Sequence, residues 1–328
     1  MGDYLCVFEV HIFLGGKFEI FNYLLGNTKI KLKSKLLEFP NLKINRYEQN
    51  LNTITYRIFE KIRRRIAMNL CEHRNSRLVE FIINQVSMFL KEVSNVNWNM
   101  NTNGEIRVLR LISRRNPAVA FDVGANRGEW SSNFGKMVPS CKIYAFEIVP
   151  DTFLALKETV DRLKNVVPVN SGLSDLPGKI FINVSDTDST VSTAYPIRGM
   201  AYHDRLYTAQ VQCSVTTGNE FMRSNGIGVI DFLKIDVEGM DFAVLEGFGD
   251  KLKDVKIIQF EYGVFNIPAR KLLIDFFDLL TKYGFVVGKI FPKNVVFFEY
   301  HFRHENFYGG NFIAVKKDDI EFMNILSK

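Results

Sequence analysis

From Ala118 onward the chain alternates short apolar runs with amphipathic segments. Runs at 118–123, 142–147, 166–170, 230–236, 256–262, 284–290 and 311–316 have the length of strands. Between them, helical spacing recurs near 128–137, 150–164, 217–225, 240–247 and 268–283. This alternation predicts an α/β, Rossmann-like fold, a mostly parallel seven-stranded sheet with helices on both faces. A long insertion, Leu173 to Val215, separates the third strand from the fourth. Its pattern predicts a hairpin of 179–184 with 210–215 and a polar loop around 185–195. A loop of that length in a compact domain is either functional or disordered. The first hundred residues lack the alternation. Ile54, Ile58, Ile62, Ile66 and Leu70 recur every four positions, and Val79, Ile83, Val86, Phe89 and Val93 follow at helical spacing. Both patterns predict helices with one buried stripe. The Asn-rich stretch 95–104 reads as a linker or exposed loop, which divides the chain into a helical region, 1–100, and an α/β domain, 101–328.

Charge sharpens that division. Residues 1–117 carry 19 Lys and Arg against 10 Asp and Glu, whereas 118–328 carry 23 against 26. The densest positive runs are Lys29-Ile-Lys-Leu-Lys-Ser-Lys35 and Lys61-Ile-Arg-Arg-Arg65. A solvated face explains them; peripheral contact with an anionic membrane or a glycolipid is the sharper reading. Nucleic acid is disfavoured, because few aromatics are interleaved and no recognition motif accompanies the charge. No apolar run reaches membrane-span length, and the N-terminus lacks a secretory pattern. The four cysteines are scattered and the histidines show no zinc-ligand spacing, so the expectation is a cytoplasmic protein with free thiols. Oligomeric state is not legible.

Candidate chemistry clusters at the ends of the apolar runs. Ala120-Phe-Asp-Val-Gly-Ala-Asn-Arg-Gly-Glu129 is a strand, a glycine turn and a helix start, with Asp122, Gly124, Asn126 and Gly128 at the turn. Glu147 ends the next run, where α/β nucleotide folds place an acid on ribose hydroxyls. One glycine at the turn, with an Asp two residues before it, suits an amino-acid head better than a pyrophosphate. The pattern therefore points to S-adenosylmethionine, with Asp122 neutralising the amine and turn N–H groups taking the carboxylate. Asp175 follows the third strand and either reaches the adenine or simply forms a turn. Ile230-Asp-Phe-Leu-Lys-Ile-Asp-Val-Glu-Gly239 sets Asp236 and Glu238 at the sheet's carboxyl edge, and Glu261 ends the following run. Acids there are costly unless they bind a cation, a hydroxyl or a metal.

Asp122-Val-Gly-Ala-Asn-Arg-Gly-Glu-Trp-Ser131, Phe146-Glu147, Asp231-Phe-Leu-Lys-Ile-Asp-Val-Glu-Gly239, Val244-Leu-Glu-Gly247, Gln259-Phe-Glu-Tyr-Gly263 and Phe307-Tyr-Gly-Gly-Asn-Phe-Ile-Ala314 resemble the FkbM-type family of SAM-dependent methyltransferases. The resemblance runs from about Asn103 to Val315. It implies a class I methyltransferase fold and methyl transfer to an oxygen, often a hydroxyl of a sugar, glycoconjugate or natural product. Three positions depart from the family pattern: Gly218-Asn219 for Leu-Asp, Asp241 for Glu, and Ile148 for Pro. The first departure bears on substrate contacts.

A neutral hydroxyl is a poor nucleophile, so a base that removes its proton is expected. Asp236 leads, then Glu261 and Glu238, with His203 in the insertion as an outsider. Alternatively Asp236 and Glu261 hold Mg²⁺, which acidifies the hydroxyl. Two rivals stand beside this reading. One is an NAD-binding oxidoreductase, disfavoured by the missing middle glycine; the other is a non-catalytic scaffold that kept the fold.

Overall fold

The computed structural model describes residues 6–14, 17–25, 33–36, 46–185, 189–195 and 207–328, with side chains at residue 57 and from residue 59 onward. The chain divides into two compact units, Met1–Phe81 and Ile82–Lys328. The first holds an antiparallel sheet of β1 (Cys6–Leu14), β2 (Lys17–Leu25) and β3 (Lys33–Leu36), then α1 (Arg46–Glu72). The expectation of a helical start is thus corrected for residues 6–14, 17–25 and 33–36. Phe8, Val10, Ile12 and Leu14 alternate with Val7, Glu9, His11 and Phe13, a period of two rich in β-branched and aromatic residues. α2 (Arg77–Val93) begins in this unit and ends in the second. The helices sit where their periodicity predicted, but among the stripe residues whose side chains are described few are enclosed. Val79 is enclosed, while Ile62, Ile66, Val86, Phe89 and Val93 are all more than half exposed.

In the second unit α3 (Glu105–Ser113) precedes β4 (Val119–Val123), α4 (Glu129–Met137), β5 (Lys142–Phe146), α5 (Pro150–Val160) and β6 (Val166–Val169). The described part of the insertion forms a small sheet of β7 (Gly172–Leu173), β8 (Gly178–Val184) and β9 (Ala209–Thr216), with β8 and β9 antiparallel in the expected pairing. There follow α6 (Gly218–Ser224), β10 (Ile230–Ile235), α7 (Asp241–Phe248), β11 (Val255–Glu261), α8 (Asn266–Ala269), α9 (Leu273–Lys282), β12 (Phe285–Ile290), β13 (Val295–Phe297), β14 (Asn311–Lys316) and α10 (Ile320–Leu326).

The main sheet runs β13-β12-β14-β11-β10-β4-β5-β6. It has eight strands, because the short edge strand β13 adds to the seven expected. β11, β10, β4, β5 and β6 are mutually parallel, and β14 is antiparallel to both its neighbours. The order reverses at β4, from which the chain first builds outward to β6 and then returns to β10. This is the class I methyltransferase fold, and ligands of such sheets bind beyond the carboxyl ends at the reversal.

Alternate residues feed two cores. Phe121, Val123, Leu233 and Ile235 pack with α7 and α9 on one face. Ala120, Phe232, Ile257 and Ile313 pack with α3 and α4 on the other. Gly218, one of the family departures, lies against this packing: a Cβ there would stand 2.6 Å from the ring of Phe248. The missing side chain makes room for an aromatic ring, and Gly218 does not line the site described below.

The Asn-rich stretch is a partly exposed loop, one of the two expected forms, and it is anchored at both ends. Asn97 and Asn99 side chains accept from the backbone two residues on, and Asn95 and Asn103 are buried. Asn95 Nδ2 donates to the Asn103 carbonyl at 2.8 Å and to the Ile290 carbonyl at 3.0 Å, which ties the segment to β12. Asn95→Ala leaves both carbonyls without this donor. Denaturant unfolding should show a loss of roughly 1–3 kcal/mol; unchanged stability would mean that these bonds contribute nothing net.

Candidate functional site

A cavity of about 580 Å³ opens at the carboxyl edge. The turn after β4 supplies Gly124 and Asn126, the end of β5 supplies Glu147, and the segment after β10 supplies Asp236, Glu238 and Asp241. Glu261 ends β11, and Ser189 to Thr193 of the insertion close another side. Six of the nine predicted site residues therefore meet in one place: Gly124, Asn126, Glu147, Asp236, Glu238 and Glu261. The other three lie off its wall. Asp122 is fully buried beneath it, Gly128 packs against Leu156 at the start of α4, and Asp175 is exposed and accepts from Ser174 Oγ. His203 lies outside the described residues.

The glycine turn acts through space more than through donors. Gly124 has φ 83°, and a Cβ on it would stand 1.8 Å from the Asp236 carbonyl oxygen. Its N–H and that of Ala125 both donate to the Phe146 carbonyl. Asn126 N–H donates to Glu147 Oε2 at 2.9 Å, and Val149 N–H donates to Glu147 Oε1 at 2.8 Å, where the carboxylate satisfies the start of α5. Each oxygen keeps a second lone pair. Burial pushes Glu147 up to about 7 against these backbone donors.

Beneath the cavity a polar row crosses the sheet. Asp122, Lys234 and Gln259 are register partners on β4, β10 and β11, on one face. Lys234 Nζ lies 3.4 Å from Asp122 Oδ1 and 3.0 Å from Asp236 Oδ2. Burial alone would lower the Lys234 ammonium, yet Asp236, Asp122 and Glu105 hold it above its ordinary range. Burial raises Asp122, with Lys234 and the Ser131 hydroxyl (2.6 Å) opposing. Glu105 takes Gln259 Nε2 at 2.8 Å and Asn311 Nδ2 at 3.2 Å; it too is raised by burial.

The acids at the cavity centre repel one another. Carboxylate oxygens of Asp236, Glu238 and Glu261 lie within 4.8 Å of each other. Burial first, then Asp236, Glu238 and Asp241, raise Glu261 well above the carboxylate range. Asp241 is pushed up to about 7 by burial and by Asp236. It accepts from Glu261 N–H at 3.2 Å. Glu238 adopts φ 50°, a left-handed conformation unusual for a non-glycine, and its carbonyl accepts from Thr193 Oγ1 at 2.7 Å.

The room fits S-adenosylmethionine: a glycine turn without a side chain, a near-neutral carboxyl at the ribose position and a carboxyl-lined centre suited to a cationic donor. Sequence reasoning missed Lys234, Glu105, Trp98, Tyr308 and Asn266, which line or support this cavity. Lys234 carried a signal, a lone charge within an apolar strand, which needs a buried partner, and Tyr308 stood in one of the family-like motifs.

The sequence model of a family described as "Methyltransferase FkbM domain" matches residues 122–287, just over half of the chain. Hexuronic acid methyltransferase AglP of Haloferax volcanii is 29% identical over 177 residues, 52% of this chain and 69% of that protein. 2-O-methyltransferase NoeI of Sinorhizobium fredii is 23% identical over 203 residues, 58% and 80% of the two chains. Among solved structures, the O-methyltransferase from Bacillus cereus in complex with SAH has 10% identity and a TM-score of 0.38, covering 71% of this chain and 90% of its own.

Glu147 and Asp241 titrate near 7 when folded and near 4 when unfolded, so the folded chain binds protons more tightly between those values. Their contribution to stability is full below about pH 4 and is lost as pH rises through 7. Calorimetry on donor-free protein should show a higher Tm at pH 5.5 than at pH 8, with part of the drop removed in Glu147→Gln. A Tm that climbs over this interval contradicts the assignment.

Proposed function

Since the chain belongs to the FkbM methyltransferase domain family, and is therefore an S-adenosylmethionine-dependent methyltransferase, we propose that it methylates a hydroxyl oxygen of a sugar or glycoconjugate. A hydroxylated natural product is the second acceptor class. The observation that carries this reading is the convergence of Asp236, Glu238 and Glu261 beside the glycine turn and Glu147 in one cavity. Both named relatives are sugar-type or 2-O-methyltransferases by description, which favours an oxygen acceptor.

When bound, the donor supplies a methyl group activated on a sulfonium. Glu147 holds the ribose hydroxyls through its free lone pairs, and Gly124 and Asn126 leave room for the amino-acid end. Ile148, Leu173, Ile180 and Ile182 give an apolar wall for the adenine. Asp236 takes the proton of the acceptor hydroxyl at a carboxylate oxygen, and Lys234, 3.0 Å from Oδ2, keeps that carboxylate oriented. General-base assistance is worth about 10²–10⁴-fold, and alignment of the acceptor supplies much of the remainder.

A second reading has support from the same three acids. Their oxygens are close enough to hold a divalent ion, and hard oxygen donors suit Mg²⁺. Asp236, Glu238 and Glu261 would hold it, and it would supply acidification of the hydroxyl.

The test is transfer of a labelled methyl group from S-adenosylmethionine into glycoconjugates of the source cells. A base-stable methyl ether is expected; a base-labile ester would move the reaction to a carboxylate. Asp236→Asn should lower turnover by about a hundredfold with donor Kd nearly unchanged. Glu147→Ala should weaken the donor about tenfold or more, two hydrogen bonds being lost. Activity that survives EDTA favours the base reading, and loss restored by Mg²⁺ favours the metal.

A lipid surface is the partner we propose for the basic N-terminal region. On α1, Lys61, Arg64 and Arg65 are exposed on one side, and Phe59, Ile62 and Ile66 are exposed on the other. No helix among the described residues is long and apolar enough to cross a membrane. The full chain should sediment with vesicles containing phosphatidylserine, and much less so after Lys61, Arg64 and Arg65 are changed to Glu. Equal sedimentation of both forms would remove the lipid from the account.

A further inference from the structure

The sheet order divides the cavity. Strands β5 and β6 lie to one side of β4 and deliver Glu147, Ile148 and Gly172; strands β11 and β14 lie beyond β10 and deliver Tyr262, Asn266, Tyr308 and Gly309. The acids after β10 stand between. Donor groups therefore occupy the β5–β6 side, and the acceptor is left the β11–β14 side.

That second side carries an aromatic rim. Trp98 lines the cavity yet is 69% exposed, a large apolar surface left in water at the mouth of a site. Its ring lies over Gly309. A Cβ on Gly309 would stand 3.3 Å from the Trp98 ring, and Gly309 and Gly310 take φ of 103° and 112°. Tyr308 lines the same side. Asn266, 3% exposed, is a further wall residue. Its Oδ1 accepts from Gly263 N–H at 2.8 Å, and its Nδ2 has no partner among the described residues. A flat indole and a fixed amide in the wall of one cavity suit a pyranose, which has an apolar C–H face and hydroxyls around its edge.

Charge narrows the ring. The described lining includes the carboxyl groups of Glu105, Glu147, Asp236, Glu238, Asp241 and Glu261, while the buried ammonium groups behind it are engaged, Lys234 with Asp122 and Asp236 and Lys289 with the Gly309 carbonyl. A carboxylate or phosphate on the acceptor would enter a cavity already crowded with acids, at a cost that rises with desolvation.

Building on the methyltransferase reading, we propose that Trp98, with Tyr308 and Asn266, forms a subsite for an uncharged pyranose ring and selects it over a uronic acid. The acceptor stacks on Trp98 and presents a hydroxyl to Asp236.

The test uses the full chain saturated with S-adenosylhomocysteine, probed by saturation-transfer NMR with methyl glycosides of glucose, galactose and mannose, and with methyl glucuronoside. At least one neutral glycoside should bind through its ring protons, at least fivefold more tightly than the glucuronoside. Trp98→Ala should weaken it fivefold or more, and Trp98→Phe should keep most of the binding. S-adenosylhomocysteine affinity, measured on the same samples, should be unchanged in both variants. Silence from all neutral glycosides, equal or tighter binding of the glucuronoside, or indifference to Trp98→Ala overturns the subsite while the donor site stands. Failure of S-adenosylhomocysteine to bind the unaltered chain would sink the methyltransferase reading itself.

Discussion

The carboxyl edge of this sheet is held by one buried ammonium. Lys234 sits in the middle of β10 with Asp122 beside it on β4 and Asp236 two residues on, and all contacts to its Nζ fall within 3.4 Å. Two of the three groups are inside the protein, where an isolated charge is strongly disfavoured. The lysine neutralises Asp122, which cannot reach solvent, and also fixes the acid nearest the proposed chemistry. Core stability and site geometry are therefore set by the same three side chains. Gln259, Glu105 and Asn311 extend the row to β14, so the floor of the cavity is a hydrogen-bonded network rather than an apolar core.

Much of this architecture was legible because the strands are nearly continuous apolar runs and the helices carry regular stripes. All seven expected strands and the insertion's hairpin form within a residue or two of their predicted limits. The central acids were equally legible, since Asp236, Glu238 and Glu261 each end an apolar run. What stayed hidden depends on tertiary neighbours. β13 is three residues long, too short for periodicity to register. Asn95 to Gly104 is the loop its composition predicts, but the contact with β12 that anchors it joins residues far apart in the chain. Trp98 becomes part of the cavity through Gly309, more than two hundred residues later.

Asp122 shows how a motif can be noticed for one reason and used for another. Its place before a glycine turn suggested an amine partner in the ligand; its neighbour in the fold is Lys234. Strand register explains the difference. Phe121 and Val123 point to one core, so Asp122 must point to the opposite face, where the partner on β10 is the lysine. In the first unit a period of two was overlooked beside the longer helical stripes, and a three-stranded sheet stands where helix was expected.

The reversed direction of β14 has a practical corollary. Asn311, its first residue, pairs with Glu261, the last of β11, so the chain enters β14 at the cavity rim and departs from the far edge. α10 then runs back along α3, with Arg115 paired to Asp319 before its first turn and Arg107 donating to the Leu326 carbonyl at its end. A fluorophore or surface tether attached at the exposed Lys317–Asp318 turn, rather than at Lys328, would project away from the opening and leave the entrance clear for surface-immobilised measurements.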